Sequence, residues 1–356
     1  MYGVTNRQVH PRKQGTDKLG AKPNARGPNE LRLFKAQKAD NGWQLEIISD
    51  RLSATMKSEV GAPVNKPAFG SYYVAKKVLC QAREEKRNVL LFVHGFNNDM
   101  DDVLRRAQAL EQNYGVIVLP FSWPANGGGI VSGTTSYKSD KRDARVSAGA
   151  LDRTLAIAAG YLARFTKEQR EQIATQAKQR HPDNAESRDA LFSELMDKTC
   201  PFTINALFHS TGNYVLKQML KSSNVEGNQL IFDNVILAAA DTNNLDHALW
   251  VDQIKFRRRL YITINENDRA LAASRLKAGE EQLARLGQSL YALNSRNASS
   301  IDFTTASWVG SSHAYFEGEP VDNNADVREF FQAAFNGQRA EQPLRYIPDR
   351  NYYEFR

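Results

Sequence analysis

The residues best able to do chemistry in this sequence lie around Ser210. The apolar run Thr203-Ile-Asn-Ala-Leu-Phe208 ends at His209-Ser210. Thr211-Gly212-Asn213 then opens a helical pattern carrying Tyr214, Val215, Leu216, Met219 and Leu220. A strand that turns sharply into a helix lifts a serine at the bend out of the sheet, as a nucleophile elbow does. The N–H of the next residue, Thr211, is then aimed from the positive end of the helix at an oxyanion. A serine hydroxyl is a poor nucleophile near neutral pH and needs a neutral imidazole to take its proton. That imidazole needs a buried carboxylate to hold its tautomer.

The elements that must position such a set are legible as apolar runs. Val89–Val93 ends in His94-Gly95-Phe96-Asn97, and Val116–Leu119 is followed by Phe121-Ser122-Trp123-Pro124. Val235–Ala240 ends at Asp241, and Leu260–Ile264 is followed by Glu266-Asn267-Asp268. The short strand Ile301–Phe303 precedes a loop, Trp308–Phe316, that contains His313. Unbroken apolar runs suit parallel strands buried on both faces. Helical patterns separate them at Asp101–Gln112, Lys141–Phe165, Arg269–Leu286 and Val327–Phe335. This alternation predicts an α/β fold, a mostly parallel doubly wound sheet with helices on both faces. Ligands in such sheets sit beyond the carboxyl ends of the strands, which is where these polar clusters fall. The chain order Ser210, Asp268, His313 is the Ser-Asp-His order of this architecture.

On this reading Ser210 is the nucleophile, His313 the base and Asp268 the acid. Ser210 as a plain helix N-cap is the competing account. His313 competes with three other histidines. His209 points to the opposite sheet face from its neighbour Ser210 and is read as structural. His94 shapes its loop by hydrogen bonding, and His247 falls in a helical stretch. Asp241 is the alternative acid, because it too ends a strand. Phe96 N–H is the second oxyanion donor beside Thr211 N–H, since His94-Gly95 lets the backbone approach closely. His94, Trp123, Tyr137 and the more distant Trp308 are candidates for the pocket wall.

Composition bounds the rest. The 356 residues are 41% apolar with a mean hydropathy of −0.54, which allows a sizeable core under a polar surface. No apolar run approaches the length of a membrane span, and residues 1–30 contain no secretory apolar segment. Two cysteines, Cys80 and Cys200, make no disulfide framework and point to a reducing, cytoplasmic setting. No ligand spacing suggests zinc, and no cofactor is expected. Residues 1–30 carry six basic residues against two acidic ones, +4 of the net +7. They read as a basic flexible arm, with weak contact to nucleic acid or an anionic surface as its candidate role. Residues 31–70 read as an N-terminal hairpin and loop, the hairpin turning at Asp40-Asn41-Gly42. Residues 71–335 form the main domain, with a charged helical insertion at about 166–200. Residues 336–356 read as a C-terminal tail. The Gly/Ser/Thr-rich stretch 125–136 is a lid candidate. The sequence does not define an oligomeric state.

Several motifs occur together and in order: Phe92-Val-His-Gly-Phe-Asn-Asn98, Phe121-Ser-Trp-Pro124, Tyr137…Asp140…Ala144…Ser147, His209-Ser-Thr-Gly-Asn213, Ala239-Ala-Asp241 and Asn267-Asp-Arg-Ala-Leu271. With these the chain resembles a bacterial branch of the α/β-hydrolase superfamily of unknown function, over roughly residues 70–335. The resemblance implies an α/β-hydrolase fold, a serine nucleophile and hydrolysis of an ester or related acyl bond. The triad carries over as Ser210, Asp268 and His313. The sequence departs from the superfamily's Gly-x-Ser-x-Gly elbow, reading Phe208-His-Ser-Thr-Gly212, and it has Thr211 where Met is more usual. Phe208 must then find a gap where a small residue normally stands. The expected activity is a serine hydrolase acting on a small acyl ester through an acyl-enzyme. The alternative is a binding or scaffold module that keeps the fold without turnover.

Overall fold

The computed structural model describes residues 1–125, 133–197, 202–222, 224–275 and 283–355, with backbone alone for 133–140 and 197. In chain order the strands are β1 (Tyr2–Thr5), β2 (Arg7–Val9), β3 (Leu19–Pro23), β4 (Arg32–Ala39), β5 (Gly42–Ile48), β6 (Val89–Val93), β7 (Ile117–Ser122), β8 (Ile204–His209), β9 (Phe232–Ala238), β10 (Phe256–Ile264), β11 (Ala298–Asp302), β12 (Arg345–Ile347) and β13 (Tyr352–Glu354). The helices are α1 (Ala54–Glu59), α2 (Gly70–Glu85), α3 (Met100–Tyr114), α4 (Gly133–Arg180), α5 (Ala185–Asp197), α6 (Gly212–Leu220), α7 (Ala248–Val251), α8 (Arg269–Arg275), α9 (Glu319–Asn323) and α10 (Ala325–Phe335).

Eleven strands form one sheet in the order β12-β13-β11-β10-β9-β8-β6-β7-β1-β4-β5. Every neighbouring pair from β13 through β1 is parallel. The outer pairs β12/β13, β1/β4 and β4/β5 are antiparallel. Strand residues alternate between two cores, as the pleat requires. Leu91, Val93, Ala206 and Phe208 pack with Leu151 and Leu155 of α4 and with Val215 and Leu216 of α6. Leu90, Phe92, Leu207 and Ile236 pack with Ala107 and Leu110 of α3 and with Phe330 and Phe331 of α10. Helix α3 has local reasons to form. Asp99 and Asp102 make a capping box at its start, and Gly115 ends it in the left-handed conformation. From β6 the chain runs outward to β7, then returns across β6 to β8. Strand order reverses between β6 and β8, and the carboxyl ends of these two strands define the crevice where a ligand fits.

Four expectations need correction. Residues 1–30 are not a flexible arm. β1 is inserted between β7 and β4, and β2 pairs with β3 in a second, two-stranded sheet. Arg7 is 1% exposed, and its guanidinium donates to Ser122 Oγ at 2.7 Å and to the Asn98 carbonyl at 2.8 Å. Its contacts tie the start of the chain to the ends of β6 and β7. Residues 336–356 are not a tail, because β12 and β13 extend the other edge of the sheet. The 31–70 hairpin is real but belongs to the main sheet, and α1 lies within the stretch read as loop. Its turn centres on Asp40-Asn41, with Gly42 supplying the positive φ of 110° just after it. The helical insertion has no boundary at residue 166, since α4 runs unbroken to Arg180 before α5 follows. Of the lid stretch 125–136, residues 126–132 lie outside the described ones. Among the described residues no helix is long and apolar enough to cross a membrane.

The N-terminal segment should therefore behave as core. Arg7→Met removes charged hydrogen bonds to buried acceptors and should lower the unfolding free energy by about 1.5–3 kcal/mol. Arg12→Met, at an exposed position of the same segment, should stay within about 0.5 kcal/mol of the native chain. Urea unfolding of both variants measures the contrast, and equal stabilities would reject the corrected placement.

Candidate active site

Ser210 follows directly on the last residue of β8, and Thr211 caps α6. Its φ is +54°, a left-handed conformation that is uncommon and mildly strained for serine. Neighbouring backbone and one side chain hold it there. Ser210 N–H donates to the Ala238 carbonyl at 2.9 Å, and Asp241 N–H donates to the Ser210 carbonyl at 3.2 Å. Asn213 Nδ2, from the second residue of α6, donates to the carbonyls of Phe208 (2.8 Å), Ser210 (3.1 Å) and Ala238 (3.2 Å). Two glycines make room for the bend. A Cβ on Gly212 would stand 2.6 Å from the Val93 carbonyl oxygen, and one on Gly95 would stand 2.7 Å from Ser210 Cβ. Phe208, two residues before the serine, does find its gap. It is 1% exposed and packs into the α4/α6 core beside Leu155, Leu216 and Met219, leaving a residual void of about 20 Å³.

Asp268 precedes α8 and is fully buried. Its Oδ1 accepts the Leu271 N–H at 3.0 Å, capping the helix, and its Oδ2 lies 2.6 Å from His313 Nδ1. A carboxylate only accepts, so Nδ1 carries a proton, and in the neutral ring Nε2 then carries the lone pair. His313 stands on an irregular loop with no strand ladder to fix it. Asn265 Nδ2 pins that loop by donating to the carbonyls of Gly310 and Ser312, each at 3.0 Å. Ser210 and His313 line one cavity of about 300 Å³ with Phe96, Asn97, Arg106, His209 and Asp241, and with Ala270, Leu271 and Ala273 of α8.

The two candidate acids are separated by their partners. Asp241 is buried against Arg285, which is 1% exposed, at 3.1 Å, and its Oδ1 accepts Ser274 Oγ at 2.6 Å. Thr211 Oγ1 donates to its other oxygen at 3.4 Å. Asp241 thus ties α8 to the elbow, while Asp268 holds the imidazole. In the loop after β6, His94 Nδ1 lies 2.9 Å from the Gly95 carbonyl, and Asn98 Nδ2 donates to the Phe96 carbonyl at 2.6 Å. In a trans peptide C=O and N–H point opposite ways, so holding the Gly95 carbonyl fixes the direction of Phe96 N–H.

Two expected wall residues lie beneath the site instead. His94 and Trp123 are fully buried and stack with ring centroids 5.2 Å apart, and Trp123 Nε1 donates to the His94 carbonyl at 2.8 Å. They support the loop rather than line the cavity. Trp308 is 61% exposed and is not part of the wall. The side chain of Tyr137 lies outside the described residues. His247 is buried, with Nδ1 2.8 Å from the Asn244 carbonyl, and takes no part in the cavity. His209 is the main correction. It was expected to point away from Ser210, yet it lines the same cavity, because the His313 loop folds over the sheet side that it faces. Its Nε2 lies 3.0 Å from the His313 carbonyl, and its ring is 4.8 Å from the His313 ring. Asn213, Asn265 and Arg106 also escaped sequence reasoning. A buried-type polar residue one turn after the serine was the available signal for Asn213. Among the described residues no three His, Cys, Asp or Glu side chains cluster as a metal site.

Burial pushes the pKa of both His94 and His209 well below the ordinary imidazole value, with neighbouring cationic side chains adding to the effect. Both are neutral in the folded protein, and each takes up a proton on unfolding below about pH 6.5. Their stabilising contribution is complete above that pH and is lost as pH falls toward the folded values. Across that interval each should steepen the loss of stability as the pH falls. His209→Gln should make the slope of stability against pH shallower in denaturant titrations at several pH values; an unchanged slope would contradict it.

A family model described as alpha/beta hydrolase of unknown function (DUF900) matches residues 74–175 and 165–305. Comparison with curated proteins returns no match, and comparison with solved structures returns none. The family match spans most of the parallel sheet, the elbow and Asp268, and on that basis the chain belongs to the alpha/beta hydrolases of unknown function (DUF900).

Proposed function

We propose that the protein is a serine hydrolase cleaving a carboxylic ester through an acyl-enzyme on Ser210. The observation that carries this reading is a left-handed serine at a strand-to-helix bend, sharing one cavity with a histidine whose Nδ1 is 2.6 Å from a buried carboxylate. Ser210 Oγ attacks the acyl carbonyl while His313 Nε2 takes its proton. Asp268 keeps the proton on Nδ1 and stabilises the imidazolium that forms. The N–H groups of Phe96 and Thr211 receive the oxyanion. The tetrahedral intermediate collapses as His313 returns the proton to the departing alkoxide, releasing an alcohol. Water, deprotonated by His313, then attacks the acyl-enzyme, and the second collapse frees the acid and regenerates Ser210.

An ester fits better than an amide because its leaving alkoxide makes lighter demands on proton delivery. The aliphatic wall from Ala270, Leu271 and Ala273 suits the acyl side of a small ester. A fluorophosphonate probe, which reacts only with an activated serine, tests the assignment. Native protein should be labelled and Ser210→Ala should not. With p-nitrophenyl esters of graded chain length, Ser210→Ala should lose on the order of 10⁴–10⁶ in turnover. Asp268→Asn, which leaves the imidazole in the wrong tautomer, should lose on the order of 10⁴. A folded native chain that neither labels nor hydrolyses these esters would refute the reading.

A further inference from the structure

We infer that His209, the residue before the nucleophile, is a positioning residue for the base His313, acting through the His313 backbone carbonyl rather than through proton transfer. This rests on the assignment of Ser210, Asp268 and His313 made above. The carbonyl of His313 can only accept, so His209 Nε2, 3.0 Å away, must be the N–H of that ring. Nδ1 of the neutral ring then carries the lone pair. Arg106 Nη1 faces it at 3.5 Å, a long contact, and a guanidinium N–H can only donate. Arg106 is itself held by Glu317 Oε1, at 2.8 Å from Nε and 2.7 Å from Nη2, and its guanidinium lies over the Phe316 ring at 5.9 Å. The His209 ring meets the Phe316 ring edge to face at 5.0 Å. Glu317 orients Arg106, Arg106 selects the tautomer of His209, and His209 holds the backbone of the base.

The arrangement matters because His313 stands on a loop without a ladder. Asn265 fixes the carbonyls of residues 310 and 312, and His209 fixes that of 313. Asp268 controls only where the ring's Nδ1 lies. The position of the Cα from which the ring swings depends on the backbone contacts. Because His209 continues directly into Ser210, the contact ties the base to the nucleophile across two residues of one strand end. A misplacement of about 1 Å between reacting groups can cost on the order of 10² in rate.

The test is the kinetics of fluorophosphonate labelling, resolved into a limiting rate and a half-saturating probe concentration. His209→Phe keeps a planar ring and loses the N–H. It should lower the limiting rate about ten- to a hundredfold and move half-saturation by less than about threefold, the signature of lost alignment rather than lost binding. His209→Gln keeps a side-chain N–H donor and should restore the limiting rate to within about fivefold of native. A Phe variant that labels at the native rate overturns the inference, as does a Gln variant as slow as the Phe variant. If circular dichroism shows His209→Phe unfolded, Arg106→Met decides. It frees the His209 tautomer and should slow the limiting rate about three- to tenfold; the native rate would overturn the proposal. Should native protein fail to label at all, the assignment of Ser210 falls and takes this inference with it. Labelled native protein with unaffected variants rejects the inference alone.

Discussion

The left-handed turn at Ser210 is the constraint on which the site depends. Holding a serine at φ +54° costs on the order of 1–3 kcal/mol, and nothing in the residue itself repays that. The surrounding structure over-determines it. The three carbonyls gathered by Asn213 belong to the strand before the bend, to the bend and to the next strand. One side chain therefore ties β8, β9 and the start of α6 together at the point of strain. Gly95 and Gly212 have the complementary duty of leaving empty the space into which the bend protrudes. The superfamily's small residue before the serine is replaced here by Phe208, and the bend survives because the crowding is relieved elsewhere. The Gly212 backbone closes directly on the Val93 carbonyl of β6, and the Phe208 ring is taken up in the core between α4 and α6.

Around that turn charge is distributed sparingly. Two buried carboxylates lie near the serine, but each is committed. Asp241 is matched by the buried guanidinium of Arg285, and Asp268 divides its oxygens between a helix cap and His313. An uncompensated buried charge would cost several kcal/mol. Among the described residues the only ion-pair partner of Asp268 is the His313 imidazole. The adjacent histidines, His94 and His209, are held neutral by burial. They shape loops through hydrogen bonds without adding positive charge that would compete with the imidazolium proposed to form at His313.

The sequence made some of this legible and concealed the rest for definable reasons. β6, β8, β9 and β10 are buried on both faces and show as apolar runs, so their polar ends were visible too, including Ser210 and the vicinity of Asp268. β1 has only four residues, and its stability comes from β7 and β4, which are remote in sequence. No local pattern reveals such a strand. A Gly- and Pro-rich segment with six basic residues looks like a tail until Arg7 is seen to end against acceptors more than ninety residues away. His209 was concealed differently. The rule that side chains alternate across a strand placed it opposite Phe208, but it also turned it away from Ser210, whose cavity it in fact lines. It gave no sign that a loop from residue 313 would cover that face.

The three groups of the proposed triad sit on supports of different stiffness, and this decides where the fold has to invest. Ser210 is clamped between a strand and a helix, and Asp268 is fixed by its own capping bond to α8. His313 has only turns around it. The polar side chains that look superfluous to the chemistry converge on that weakest support: Asn265 from the end of β10, His209 from the end of β8, and Arg106 behind it from α3. All three come from strand ends of the sheet or from a helix packed on it. The loop thereby acquires an order its own backbone pattern does not supply, and it does so from neighbours that already carry the nucleophile and the acid. A change in the relative placement of β8 and β10 would shift the base together with its partners rather than against them, which keeps three separately mounted groups in register.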